Sequence, residues 1–387
     1  MKRYAPLLAS LCALLLLGLL MRSQGQSVRA AAPSPVVQTA GAEQAPADPG
    51  QVAAAPLTQP ATGPKKFSMI AVGDIMTDRN VGGAIKSNGV HSILEKVRAL
   101  TSDADVSFAN LESPLSTTGP HSPSDCIFRA RPETVQVLVD GGFDVVTLAN
   151  NHTFNAGREG LLQTFDMLEK YNIKYCGADR ERRGDQAAIL TVGTGPVRVG
   201  FIGATDLSIE HGCYNKVAPD RSNLIAQIQA ARPYCDILAV TFHWGEEYQS
   251  LPTQRQKNTA HAAINAGADL VLGHHPHTLQ GLEVYQGKPI LYSMGNFVFD
   301  QREGERMESA IFKLDYAAGW GWQIMAKPIW IPRSRMGPIY PSAERRDKIL
   351  ARLARISKPL GTTLQIKDGK AWLRIPASGA TKEGSNT

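Results

Sequence analysis

A chain of 387 residues with 43% hydrophobic side chains is long enough to bury a sizeable core, and its length permits one to three domains. The formal charge of +6 is not that of a nucleic-acid binder. Lys2, Arg3, Arg22 and Arg29 fall in residues 1–30 with no acid among them, and without that segment the charge is +2. No lysine- and arginine-rich run remains, so nucleic acid is not expected as a partner.

Lys2 and Arg3 precede an apolar run from Ala5 to Met21, and Val28-Arg29-Ala30 offers a small-residue cleavage site. That is the layout of a secretory signal peptide over residues 1–30. The run is near the lower length for a bilayer span, so an uncleaved anchor over residues 5–21 stays open. Either way the chain is expected to be exported, to a periplasmic or extracytoplasmic location, with an inner-membrane anchor as the variant. Cys12 follows Leu11 inside the apolar run, whereas a lipoprotein cysteine follows a small residue. Residues 31–66 are rich in Ala, Pro, Gln and Gly with few large apolar side chains, and read as a disordered tether.

From Phe67 to residue 377 the pattern is that of one α/β domain, followed by a disordered tail at 378–387. Strand-length apolar runs stand at Phe67–Val72, Val106–Ala109, Val145–Ala149, Val197–Ile202, Ile237–Phe242, Leu270–Leu272 and Ile290–Met294. Helical spacing marks Glu133–Asp140, Arg158–Tyr171, Asn223–Arg232, Thr253–Ala266 and Ser342–Ile356. Residues 281–331 read as strand-turn-strand, with Gln286-Gly287-Lys288 as the hairpin turn. Cys176 and Cys235 sit at strand edges and read as buried hydrophobes, whereas Cys126 and Cys213 lie in polar loops and form the candidate disulfide. No Cys-x-x-Cys spacing points to a thiolate site.

The chemistry stands at the strand ends, where functional groups gather in α/β sheets. The first run leads into Gly73-Asp74, the second into Asn110-Leu111-Glu112, and the third into Asn150-Asn151-His152. Ile237–Phe242 leads into His243-Trp244-Gly245-Glu246, Leu270–Leu272 into Gly273-His274-His275-Pro276-His277, and Ile290–Met294 into Gly295-Asn296. A lone Gly-Asp is usually a turn, and a lone His243 reads as a core histidine. Three histidines within four positions are harder to assign to packing, and the alternate residues His275 and His277 can face one centre. Oxygen donors mixed with imidazoles suit Mn, Fe or Zn in an incompletely saturated site.

The ordered set Gly-Asp, Asn-Leu-Glu, Asn-Asn-His, His-Trp-Gly and Gly-His-His-Pro-His resembles the CapA family of capsule and poly-γ-glutamate biosynthesis, within the calcineurin-like metallophosphoesterase superfamily. Leu148-Ala149-Asn150-Asn151-His152 and Ser293-Met294-Gly295-Asn296-Phe297 make the likeness specific, and it spans about residues 67–300. The resemblance implies a metallophosphatase-like four-layer αββα sandwich, with two mixed β-sheets flanked by helices. It implies Asp74, Glu112, Asn151, His243, His275 and His277 as metal ligands and His152 as the catalytic residue that protonates a leaving group or stabilises its charge. Met76 stands where the superfamily has a ligating histidine, so two divalent ions are expected with a single ion as the alternative; a thioether suits hard cations poorly.

Glu246 and Asn296 are candidate supports for a ligand imidazole. Arg129 and Arg131 are candidate contacts to an anionic substrate. Trp244 reads as packing. Three functions follow: a metal-dependent hydrolase acting on an anionic polymer or its precursor, a non-catalytic accessory component of capsule polymer assembly or export, and an envelope phosphodiesterase or nucleotidase. Expected partners are an anionic polymer or phosphoester and a membrane capsule-synthesis complex.

Overall fold

A strand that buries both faces must be apolar at consecutive positions, and Met69-Ile70-Ala71-Val72 meets that demand in β1 (Lys66–Ile75). In the computed structural model, residues 65–180, 187–192, 196–207, 221–301 and 303–377 are described. The leader at 1–30, the tether as far as residue 64, the tail at 378–387 and Cys213 of the candidate disulfide lie outside the described residues. Among the described residues no helix is long and apolar enough to cross a membrane.

β1 runs parallel to β2 (Val106–Leu111), which continues into β3 (Val145–Thr147) and β4 (Lys174–Cys176), all parallel. A second sheet holds β5 (Ala188–Val192), β6 (Val197–Thr205), β7 (Ile237–His243), β8 (Leu270–His274), β9 (Leu282–Tyr285) and β10 (Lys288–Leu291). Its order is β5-β6-β7-β8-β10-β9. The chain then returns to the first sheet through β11 (Asn296–Val298), β12 (Glu308–Ala317), β13 (Gly321–Trp330), β14 (Gln365–Lys367) and β15 (Lys370–Pro376). The first sheet has the order β14-β15-β13-β12-β1-β2-β3-β4, with β11 also pairing β1. Both sheets mix parallel and antiparallel pairs.

Alternation along the strands builds the layers. Met69 and Ala71 of β1 face Val199 and Phe201 of β6 and Ala239 of β7 in one apolar cluster between the sheets. There Phe108 stacks on Phe201 with ring centroids 5.5 Å apart. Ile70 and Val72 point the other way, into a cluster with Leu161 and Phe165 of the helix Gly157–Lys170. Leu238, Val240 and Phe242 of β7 pack on Leu224 and Ile228 of the helix Ser222–Ala231 and on Ala260 and Ala263 of Gln254–Ala266. The result is helices, sheet, sheet, helices. The helix Ala343–Ser357 inserts Ile349, Leu350, Leu353 and Ile356 into the cluster between the sheets.

Several elements differ from expectation. The helix Arg79–Asn88 has only Val81 fully buried and carries Gly82 and Gly83, so neither propensity nor periodicity announces it. The hairpin β14–β15 turns at Asp368-Gly369, both with positive φ, a dipeptide suited to such a turn. The strand expected at Ile290–Met294 stops at Leu291, because Met294 is drawn off to donate its amide to Gly273. The region 281–331 holds five strands rather than two.

Candidate metal centre

Two glycines bring the strand ends together. A Cβ on Gly73 would lie 1.8 Å from the Gly295 carbonyl oxygen, and one on Gly273 would lie 1.9 Å from that of Tyr292. Only glycine permits this approach, which seats the segment 292–296 against the ends of β1 and β8. Asp74 donates its amide to Gly295 (3.0 Å) and pairs in register with Asn296 and Asn110. His243 and His274 are register partners at the ends of β7 and β8. His275 and His277 follow at φ of 95° and 56°. Non-glycine residues rarely adopt such angles, and each costs about 1–3 kcal/mol where it is imposed.

The converging groups are buried and anionic. Asp74 and Glu112 have no exposed surface, and among the described residues neither has a lysine or arginine within ion-pairing distance. Asn110 donates its amide to Asp74 (2.9 Å) and Glu112 (3.1 Å). It is held in turn by Asn150 (2.9 Å). Asp74 lies 3.0 Å from His274 Nδ1 and 3.3 Å from His277 Nδ1. Glu112 Oε1 has no hydrogen-bond partner, yet Nε2 of His277, His152 and His243 stand around it at 3.6, 3.8 and 3.9 Å.

Those distances are too long for hydrogen bonds. They are close to the edges of a coordination polyhedron, about 3.3–3.6 Å for donors about 2.0–2.2 Å from a tetrahedral ion. Donor atoms of Asp74, Glu112 and His277 lie within 4.8 Å of one another, as do those of Glu247, His275 and His277. His275 Nδ1 and His274 Nε2 are also buried without partners. Asn151 Oδ1 stands 2.8 Å from His243 Nε2, a hydrogen bond shorter than donor spacing that holds the two side chains side by side. The chemistry of the set fits divalent cations, and orphaned polar atoms are what such a fit leaves in a protein without them.

Electrostatics point the same way. Burial, and after it the charge of Asp74, pushes the Glu112 carboxyl well above its ordinary value. Burial alone raises Asp74 also, but hydrogen bonds and charge from His274 and His277 outweigh it and hold that carboxyl well below the usual range. Burial, reinforced by neighbouring imidazoles, holds His243 well below its usual value and brings His275 down to about 4. His243 and His275 therefore resist protons, and neither carboxyl has a lysine or arginine partner among the described residues. A metal cation satisfies both.

His152 is aimed by its neighbours. Its ring stacks on Phe128 at 4.1 Å, and Nδ1 lies 2.9 Å from Asn155 Oδ1, which also accepts the Phe128 amide. The proton therefore sits on Nδ1, and Nε2 faces Asn151 Nδ2 (3.0 Å) and the cleft. Burial takes this imidazole down to about 4, so it is neutral at pH 7.

A cleft of about 690 Å³ opens over Asn151, His152 and His277. Arg79 and Glu247 also line it, and sequence reasoning named neither. Arg79 pairs with Asp300, lies 4.7 Å over the Phe128 ring and keeps Nε buried without a partner. Its place at the start of an unrecognised helix concealed it. The two arginines named instead are elsewhere. Arg129 donates to the Gly119 carbonyl (2.6 Å), Arg131 pairs with exposed Glu133 (2.8 Å), and neither lines the cleft.

Glu246 is exposed and belongs to neither donor group, whereas the next residue, Glu247, does. Asn296 Oδ1 lies 2.9 Å from His277 Nδ1, with Asn296 Nδ2 donating to the Arg306 carbonyl (2.9 Å). Trp244 is fully buried and stacks on Phe242.

The sequence matches the family described as bacterial capsule synthesis protein PGA_cap over residues 68–301. It is similar to the PGA biosynthesis protein CapA of Bacillus subtilis (strain 168), with 31% identity over 318 residues, 80% of this chain and 83% of the relative. It is 33% identical over 260 residues to the capsule biosynthesis protein CapA of Bacillus anthracis, covering 64% of this chain and 63% of that relative. A "probable polyglutamine synthesis accessory protein" of Mycobacterium tuberculosis (strain ATCC 25618 / H37Rv) is 28% identical over 308 residues, 72% of this chain and 79% of the relative. Among solved structures, a 5'-nucleotidase from Candida albicans SC5314 superposes with a TM-score of 0.38 and 11% identity, over 76% of this chain and 58% of that one. A TM-score that low transfers neither architecture nor activity.

Proposed function

Because the chain belongs to the bacterial capsule synthesis protein family PGA_cap, within the metallophosphoesterase-like superfamily, we propose that it acts in making poly-γ-glutamate or a similar capsule polymer as a metal-dependent hydrolase. The polymer or its precursor is the substrate. One observation carries the hydrolase reading: Glu112 Oε1, buried and unpartnered, with three imidazole nitrogens 3.6 to 3.9 Å away. Asp74, Glu112, Asn151, His243, His275 and His277 would hold two divalent ions (Mn, Fe or Zn). When bound, these supply a Lewis acid and acidify water from a pKa of about 15.7 towards about 7.

The protein's own groups do the rest. His152, neutral with its Nδ1 proton held by Asn155, accepts a proton at Nε2 from the attacking water and returns it to the leaving group. Arg79, preset by Asp300 and by the ring of Phe128, receives an anionic group of the substrate in the cleft. An exported protein, held to the membrane by residues 5–21 or released by cleavage, places this site beside a membrane capsule-synthesis complex.

The test is turnover of two substrates, a chromogenic phosphodiester and a γ-glutamyl oligomer, by Mn²⁺-loaded and chelated protein. H152A should keep its metal and lose roughly 10²–10⁴ in rate. The word "accessory" in the name of the Mycobacterium tuberculosis relative favours a second reading, a non-catalytic component of polymer assembly. Under that reading H152A leaves capsule formation intact and neither substrate is turned over.

A further inference from the structure

One corner of the centre is short of a donor. The Met76 side chain is fully buried in the apolar cluster on the outer face of the first sheet, and its sulfur accepts the Asp78 amide at 3.1 Å. We propose that Glu247 makes up the loss as a further metal ligand, holding a divalent cation together with His275 and His277 at the cleft side of the centre. This rests on the metal-centre reading above and extends it to a residue outside the ligand set read from the sequence.

Geometry supports the assignment. Donor atoms of Glu247, His275 and His277 lie within 4.8 Å of one another. Donors about 2.0–2.2 Å from one ion stand at most about 4.4 Å apart, so the exposed Glu247 carboxylate is the member that moves in on binding. His275 is 7% exposed and its Nδ1 has no partner.

Glu247 is also held, unlike an ordinary surface acid. The loop that carries it is tied to the histidine turn by main-chain bonds from Trp244 to the His274 carbonyl (3.2 Å) and from Tyr248 to the Pro276 carbonyl (2.8 Å). Gln280 clamps the far side of the loop through the carbonyls of Gln249 (2.9 Å) and Leu251 (3.2 Å). Gly245 turns the loop at φ 83°, with no room for a Cβ beside Gln256. The turn thus carries Glu247 with the two histidines. A carboxylate in place of an imidazole makes the donor set richer in oxygen, which suits Mn²⁺ or Fe²⁺ better than a thioether would.

The experiment is a Mn²⁺ titration of chelator-stripped full-length chain, with free Mn²⁺ read by electron paramagnetic resonance and bound metal by elemental analysis. Wild type, E247Q, E246Q and E112Q are compared, and the unfolding midpoint of each stripped protein checks its fold. E247Q should lose one ion per chain or bind its weaker ion at least about tenfold less tightly, with E246Q matching wild type. Unchanged stoichiometry and affinity in E247Q overturn the assignment. If E112Q loses metal while E247Q does not, only Glu247 is removed from the centre. If wild type takes up no Mn²⁺, the metal-centre reading falls with it.

Discussion

The two rims of the sheets treat acid in opposite ways. At the amino ends of four parallel strands stands an aspartate: Asp105 before β2, Asp144 before β3, Asp236 before β7 and Asp269 before β8. Each accepts a main-chain amide from the adjacent strand, those of Ser68, Ser107, Arg198 and Leu238, at 2.8, 2.8, 2.8 and 3.0 Å. Asp236 adds Lys65 and Arg198, and Asp269 adds Arg232 and Lys288. At the carboxyl ends, Asp74 and Glu112 are fully buried, and among the described residues only asparagine and histidine side chains stand within bonding or ion-pairing distance. The first set ties neighbouring strands together; the second, without lysine or arginine partners among the described residues, suits a cation.

That contrast yields measurements, taken here from the largest effect down. Mn²⁺ at about a hundred times its Kd should stabilise wild type by about 2.7 kcal/mol, and E112Q should forfeit the whole increment in a thermal melt. A melt in which E112Q gains as much as wild type breaks the comparison. Asp269→Ala, at the other rim, should cost about 2 kcal/mol in urea unfolding whether or not metal is present, because it strands Arg232, Lys288 and the Leu238 amide. The figure is discounted from the buried-pair range because the two cations are 30% and 37% exposed.

In chelated protein E112Q should instead be stabilised, by about 1 kcal/mol, since it removes a carboxyl whose ionisation burial and Asp74 disfavour while its carboxamide keeps the bond from Asn110. A loss of stability there would mean that Glu112 is structural.

The smallest effect is one of pH. Burial raises the Asp236 carboxyl, but hydrogen bonds from Arg198 and Lys65 outweigh it and hold the group below the usual carboxylate range. The stability it adds is therefore present above the unfolded value of about 3.9 and drains away as pH falls through the folded one. Unfolding midpoints measured from about pH 5 downward should fall less steeply in D236N than in wild type.

Much of this was legible in the sequence, and what escaped has physical causes. The strands of the two sheet centres announce themselves because both faces are buried and their residues are apolar throughout. Asp74, Glu112, Asn151 and the histidines stand out as polar residues directly after such runs. Arg79 and Glu247 do not, since one opens a glycine-containing helix and the other sits in a polar loop beside an identical residue. Nothing local separates Glu246 from Glu247; the main-chain bonds to His274 and Pro276 do. Asp368-Gly369 carries a hairpin signal, but the short exposed strand Gln365–Lys367 before it has no apolar run to mark it as a strand.

The position of β1 has a consequence for anyone who wishes to cut the gene. The strand carrying Asp74 lies between β2 and β12, and six of its residues, Lys66 to Ala71, pair with β12. Yet the family match ends at residue 301, before β12 begins. A fragment trimmed to that match would keep every candidate ligand side chain and leave the strand beneath them with a bare edge, so it should aggregate before it could be assayed.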